Sequence, residues 1–186
     1  MTGTTTRFDG ERIRALLTEL GERLGVKGYA GELYVVGGSA MALAYDRERL
    51  TRDIDAVYAP KSEVFGEAQR MAAERDDLDD GWLNDAMKGF LTGNPDVEAK
   101  VIMTTPGLTV LVASPRRLLS MKILAARVER DSDDILTLCR LTGVKSIDEV
   151  LAIAEAEYGN RLEPKSKFLA IELLQEYLPM HSDNSA

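Results

Sequence analysis

Asp53 and Asp55 are the residues in this sequence whose types and spacing most directly suggest chemistry. Two positions apart on an extended strand, their side chains leave the backbone on the same face, because direction alternates with a period of two. Ile54 between them then points the opposite way, into a core. Two carboxylates held side by side repel unless a cation sits between them. Hard oxygen ligands of this kind suit Mg²⁺ or Mn²⁺. Upstream, with thirteen residues between Ser39 and Asp53, the triplet Gly37-Gly38-Ser39 follows the apolar run Leu33-Tyr34-Val35-Val36. A strand that ends in Gly-Gly-Ser and opens a helix presents backbone N–H groups, and its glycines let a ligand come close. A phosphate cradle beside a metal-holding carboxylate pair is what metal-assisted phosphoryl or nucleotidyl transfer requires. Either motif alone is an ordinary polar edge or an ordinary turn. Their combination carries the signal.

Positioning these groups requires an α/β framework, and the pattern of the chain supplies one. Ile13, Leu16, Leu17, Leu20 and Leu24 recur at helical spacing, so 9–24 is expected to be an amphipathic helix. Leu33 to Val36 is a buried strand ended by the glycines, and Ser39 is expected to cap a short helix running to Ala44. Asp53 to Tyr58 forms a second strand, stopped by Ala59-Pro60, and 61–74 is again amphipathic. Val97 to Met103 and Leu108 to Ala113 are rich in β-branched residues around Thr-Thr-Pro-Gly, the pattern of a hairpin. From Ser114 the pattern turns helical. Ser114-Pro115 is an N-cap followed by proline, and Ser146 with Glu149 makes a capping box. Helices are expected near 115–129, 132–142, 146–158 and 164–177. The fold class is therefore α+β, a small mixed sheet flanked by helices and followed by a C-terminal helical bundle. The expected division is 1–114 for the α/β domain, 115–178 for the helical region and 179–186 for a polar tail.

Composition bounds the partners. Of 186 residues, 45% are hydrophobic and 29% charged, a globular balance. No apolar run approaches the roughly 20 residues that cross a bilayer, and the start of the chain lacks the apolar stretch of a secretory signal. Cys139 has no second cysteine to pair with and sits among leucines, as a buried small residue would. A cytoplasmic protein is expected, with no membrane partner. The net charge of −8 excludes the global basic footprint of most nucleic-acid binders, so any polyanion must meet a local positive patch. Trp82 is expected in the core, and His181 lies in the polar tail, away from any catalytic role.

The Gly-Gly-Ser turn followed by the Asp-x-Asp strand resembles the signature of the DNA polymerase β-like nucleotidyltransferase superfamily. Val35 to Leu43 followed by Thr51-Arg52-Asp53-Ile54-Asp55 looks like the AbiEii/MenT-like toxins of type IV toxin–antitoxin systems. The stretch from Pro115 through Lys122 to Arg127 is similar to that family's third motif, and Arg130 to Ile135 to its fourth. Trp82-Leu83-Asn84-Asp85 resembles a smaller branch of these proteins. The resemblance implies a Mg²⁺-dependent transfer of NMP from NTP to an acceptor, with Gly37, Gly38 and Ser39 on the phosphates. It implies that Lys122 contacts nucleotide phosphates and that Asp134 completes the active site. It also implies that the acceptor is the 3′ end of tRNA and that a separate antitoxin protein restrains the enzyme.

The residues qualify this picture. Many nucleotidyltransferases place a third carboxylate on a later strand, and Glu98 is the positional candidate beside Asp134. Helix 115–129 is expected to bury Leu118, Leu119, Ile123 and Ala126, so Lys122 either snorkels or points at an anion. Acidic residues outnumber basic ones 31 to 23, which opposes binding to a polyanionic RNA. A groove lined by Arg47, Arg49, Arg52, Lys122, Arg127 and Arg130 would offset that, with Arg52 and Arg127 serving the nucleotide. The alternatives are transfer to a protein or small molecule, and a non-catalytic regulator that binds nucleotide.

Overall fold

A computed structural model of the chain describes residues 7–180. His181 and the residues after it, the greater part of the expected polar tail, lie outside the described residues. The chain forms two compact units, one of residues 1–89 with 98–113 and one of 90–97 with 114–186.

The first unit is a five-stranded mixed sheet in the order β3-β2-β1-β5-β4. At its centre, β1 (Gly31–Val35) runs antiparallel to β2 (Ile54–Ala59) and parallel to β5 (Leu108–Val112). The edges are β3 (Leu83–Asn84), parallel to β2, and β4 (Lys100–Thr105), antiparallel to β5. Helix α1 (Gly10–Val26) begins where Asp9 accepts from the Arg12 N–H at 2.8 Å. Its stripe of Ile13, Leu16, Leu17, Leu20 and Leu24 is buried, as the spacing requires. Helix α3 (Lys61–Ala73) buries Val64, Ala68, Met71 and Ala72. The turn joining β4 to β5 lies directly on α1. A Cβ on Gly107 would stand 2.1 Å from the Gly25 nitrogen, so only glycine allows that approach. Trp82 is 1% exposed, and its indole N–H donates to the Ala68 carbonyl at 3.0 Å, so it packs in the core.

Three local expectations are corrected. Ser39 does not cap a helix: the helical turn α2 (Gly37–Ala40) has Val36 as its N-cap and continues as a π-type turn over Met41–Tyr45. The hairpin begins later than the β-branched run suggests, at Lys100, and leaves Glu98 exposed in a turn, so strand alternation no longer places it. The short strand β3 was not foreseen, because two residues carry no periodicity.

The second unit comprises α4 (Pro115–Ala125), α5 (Val128–Thr142), α6 (Ile147–Tyr158) and α7 (Pro164–Leu174). Ser114 caps α4 by accepting from the Arg117 N–H at 3.1 Å, and Ser146 caps α6. The expected boundary at 129–132 moves toward the N-terminus, because Ala126 adopts a left-handed conformation at φ 52° and ends α4. Arg117, 5% exposed, ties residues 90–97 into this unit through the Thr92 hydroxyl, the Asn94 carbonyl and Glu157. Pro179 and Met180 are not loose: their carbonyls accept from the N–H groups of Ile147 and Asp148.

Behind the sheet, α1 and α3 are joined by a buried carboxylate. Glu67 is 2% exposed and accepts from Lys27 and Arg70, with Arg23 3.7 Å away. Burial alone would raise its pKa, but the hydrogen bonds from Lys27 and Arg70 outweigh that and hold it below the ordinary 4.5. A folded value below the unfolded one makes the contribution complete above the unfolded pKa and removes it as pH falls through the folded one. Urea denaturation should therefore show Glu67→Gln less stable than wild type at pH 7, with the difference closing below about pH 4.5.

Candidate active site

Gly37 and Asp55 meet at the end of the central strand. Gly37 has φ 63°, a conformation that favours glycine, and a Cβ there would stand 3.0 Å from the Asp55 carboxylate oxygen. The turn can pass this close to the carboxylate because it has no side chain. Its direction is set by one buried oxygen. Ser39 Oγ donates to the Val36 carbonyl at 2.8 Å and accepts from the Asp55 N–H at 3.2 Å. A second bond, from the Val36 N–H to the Asp55 carbonyl at 2.9 Å, closes the junction between turn and strand. The Ser39 hydroxyl thus serves the architecture of the site, and what the turn offers a phosphate is its backbone.

β2 begins at Ile54, one residue later than expected, so Asp53 lies in the bend that precedes the strand. Within β2, Ile54 and Ala56 are buried and Asp55 is half-buried, as alternation requires, and Asp53 is half-buried too. The cross-strand neighbour of Asp55 is Asn84 on β3, which shares its face and is half-buried. Thr51 and Arg49 approach the turn from the other side. The atoms nearest the space above Gly38 are Thr51 Oγ1 at 3.3 Å, Thr51 Cβ at 3.7 Å and an Arg49 guanidinium nitrogen at 3.9 Å. Thr51 Oγ1 also donates to the Asp53 carbonyl at 3.1 Å, joining the approach loop to the first carboxylate. The first unit therefore gathers Gly37, Gly38, Ser39, Thr51 and Asp55, with Asp53 and Arg49 adjoining. Arg52 is exposed.

Two carboxylates with an open glycine turn beside them suit a divalent ion of the Mg²⁺ class, which is commonly held by one or two carboxylates together with substrate phosphates. Among the described residues no group of three or more His, Cys, Asp or Glu side chains could hold a metal by itself. Strands β4 and β5 contain no acidic residue, and Glu32 on β1 pairs with Ala59, at the far end of β2 from Asp55.

Lys122 and Asp134 lie in the second unit, where the structure joins them. Lys122 Nζ is 2.7 Å from an Asp134 oxygen and 3.1 Å from an Asp131 oxygen, and all three residues are buried. Asp131 was not singled out from the sequence. Its link to Lys122 spans the break at Ala126, where helical spacing cannot be extrapolated. Arg127 is the exposed N-cap residue of α5.

A cleft of about 820 Å³ opens elsewhere in the first unit, lined in part by Arg14, Leu43, Tyr45, Arg47, Lys100 and Val112. Register places Lys100, Val112, Val35 and Ala56 on one face of the sheet. Asp55 points to the opposite face, so the cleft and the carboxylate pair are separate features.

Ser39→Ala would leave the Asp55 N–H without its buried acceptor, at a cost of about 1–3 kcal/mol. Urea denaturation of that variant should show a lowered midpoint with an unchanged slope. Against curated proteins and against solved structures, no match was found. One family model, however, matches residues 11–175 and so includes both motifs and the helical region with Lys122 and Asp134. By that match the chain belongs to the family described as nucleotidyltransferases of unknown function, DUF6036.

Proposed function

We propose that this chain is a cytoplasmic, metal-dependent enzyme that moves NMP from NTP to an acceptor hydroxyl, releasing pyrophosphate. The observation that carries the reading is the contact of the Gly37 turn with Asp55, which brings a backbone phosphate cradle against a carboxylate pair. In this reading the backbone amides at Gly37, Gly38 and Ser39, which have no preceding helical carbonyl to bond, would hold the β- and γ-phosphates. Asp53 and Asp55 would hold Mg²⁺ or Mn²⁺, which would supply polarisation of the α-phosphate and charge neutralisation of the departing pyrophosphate. An acceptor oxygen attacks the α-phosphorus in line as the bond to pyrophosphate breaks, and the acceptor proton passes to solvent. Positioning and charge stabilisation supply most of the acceleration, so activity does not require a third carboxylate from the sheet.

The resemblance to AbiEii/MenT-like toxins suggests the 3′ end of tRNA as acceptor, with a cognate antitoxin as restraint. In that reading Lys122, Arg127 and Asp134 serve the nucleotide and the acceptor end. A net charge of −8 favours a second reading, transfer to a protein side chain or a small molecule.

Incubation with each α-³²P-labelled NTP, Mg²⁺ and total tRNA, beside Asp53→Ala, decides between them. Label should appear on tRNA and fall by roughly two orders of magnitude in the variant, the scale of removing one group that stabilises transferring charge. Label on protein instead would move the assignment to the second reading. Intact NTP binding with no transfer would make the chain a nucleotide-binding regulator and sink the enzymatic proposal.

A further inference from the structure

Resting on the nucleotidyl-transfer reading above, we infer that Arg49 is the side chain that grips the triphosphate as it lies on the Gly38 turn. The first ground is position. An Arg49 guanidinium nitrogen is 3.9 Å from the point a Gly38 Cβ would occupy, so the side chain lies against the turn read above as the phosphate cradle. No other cationic atom is among the three nearest to that space.

The second ground is preorganisation. The Arg49 N–H donates to the Asp46 carbonyl at 3.2 Å, so the loop is folded on itself just before the side chain departs. Two residues later, Thr51 exchanges both backbone hydrogen bonds with Phe8, at 2.7 and 2.9 Å. Phe8 is 2% exposed, which makes this a firm anchor. Arg49 is thus held between two fixed points. It is half-buried, with a buried Nε, whereas its neighbours Arg47 and Arg52 are exposed. A half-buried guanidinium loses less freedom on binding than an exposed one, and its planar fork matches phosphate oxygens in pairs.

The third ground is charge. Asp53 and Asp55 together cancel a divalent cation, so the carboxylate–metal assembly contributes no net positive charge toward the triphosphate. In a chain of net charge −8, attraction for the polyanion has to be local. Arg49 is the cation placed to supply it at the turn.

The inference is tested by titrating the full chain with inorganic tripolyphosphate in the presence of Mg²⁺, with wild type beside Arg49→Gln, Arg49→Lys and, as a control, Arg140→Gln, an exposed arginine near the end of α5. Arg49→Gln should weaken binding at least tenfold, Arg49→Lys should recover most of the loss, and Arg140→Gln should stay within about twofold of wild type. A parallel measurement needs no variant. Phenylglyoxal labelling of wild type, mapped by mass spectrometry, should show Arg49 protected by tripolyphosphate and Arg140 unprotected. Wild type that binds while Arg49→Gln binds equally, or an Arg49 that stays unprotected, overturns the role of Arg49 and leaves the reading of the site intact. A lysine variant no better than the glutamine variant assigns Arg49 to structure alone and overturns it too. Wild type that binds neither tripolyphosphate nor NTP with Mg²⁺ overturns both.

Discussion

The Ser39 hydroxyl carries two hydrogen bonds, one given to the Val36 carbonyl and one taken from the Asp55 N–H, and the geometry of the candidate site depends on that oxygen. Turn and strand are separate segments of chain with a loop of thirteen residues between Ser39 and Asp53. Sheet pairing brings β1 and β2 alongside, but it stops at Val35 and Ala56. Beyond that point the serine and the Val36–Asp55 bond continue the contact into the turn. A serine fully buried and satisfied in both directions rigidifies such a junction, because loss of either partner strands a polar group. With the junction fixed, Gly37 can lie against a carboxylate without drifting from it.

Rigidity here solves an electrostatic problem. Asp53 and Asp55 are half-buried and like-charged, an arrangement that costs free energy in the absence of a cation. The helices on the opposite face meet that cost indirectly, since α3 packed on β2 and α1 packed on β4 and β5 hold the sheet in place whatever the carboxylates would prefer. Ile54 and Ala56, buried on that face, lock the side-chain alternation that turns Asp55 outward. A slip of one residue would bury Asp55 and expose Ile54, so the core enforces the polarity of the site.

This dependence explains which parts of the fold and the site were legible in the sequence. The α1 stripe and the alternation of Ile54, Asp55 and Ala56 follow from periodicity, which is local, whereas Asp53 falls in the bend before the strand, where alternation no longer places it. Gly37 was readable as a residue allowing close approach, although the group approaching, Asp55, is eighteen positions away. The role of the Ser39 side chain was misread, because a serine before a helix suggests a cap and only the tertiary contact with Asp55 shows otherwise. Glu98 was placed by strand alternation, and the argument lapsed when the strand began at Lys100. Arg49, Thr51 and Asn84 carry no spacing signal at all. They reach the site through a loop closure and a two-residue strand, neither of which leaves a periodic trace.

The helical unit sets a different constraint on chemistry. Lys122 faces two buried carboxylates, Asp131 and Asp134, at ion-pair distance. Removing an ammonium from water costs several kcal/mol, and the two aspartates offset that cost only while the lysine stays with them. For Lys122 to reach a phosphate it would have to exchange a buried partner for the ligand, leaving a carboxylate exposed to an apolar surrounding. Arg49 lies beside the turn, a guanidinium nitrogen 3.9 Å from the point a Gly38 Cβ would occupy. On the inference above it is Arg49 that serves the phosphates, while the ion pairs of Lys122 with Asp131 and Asp134 tie α4 to α5.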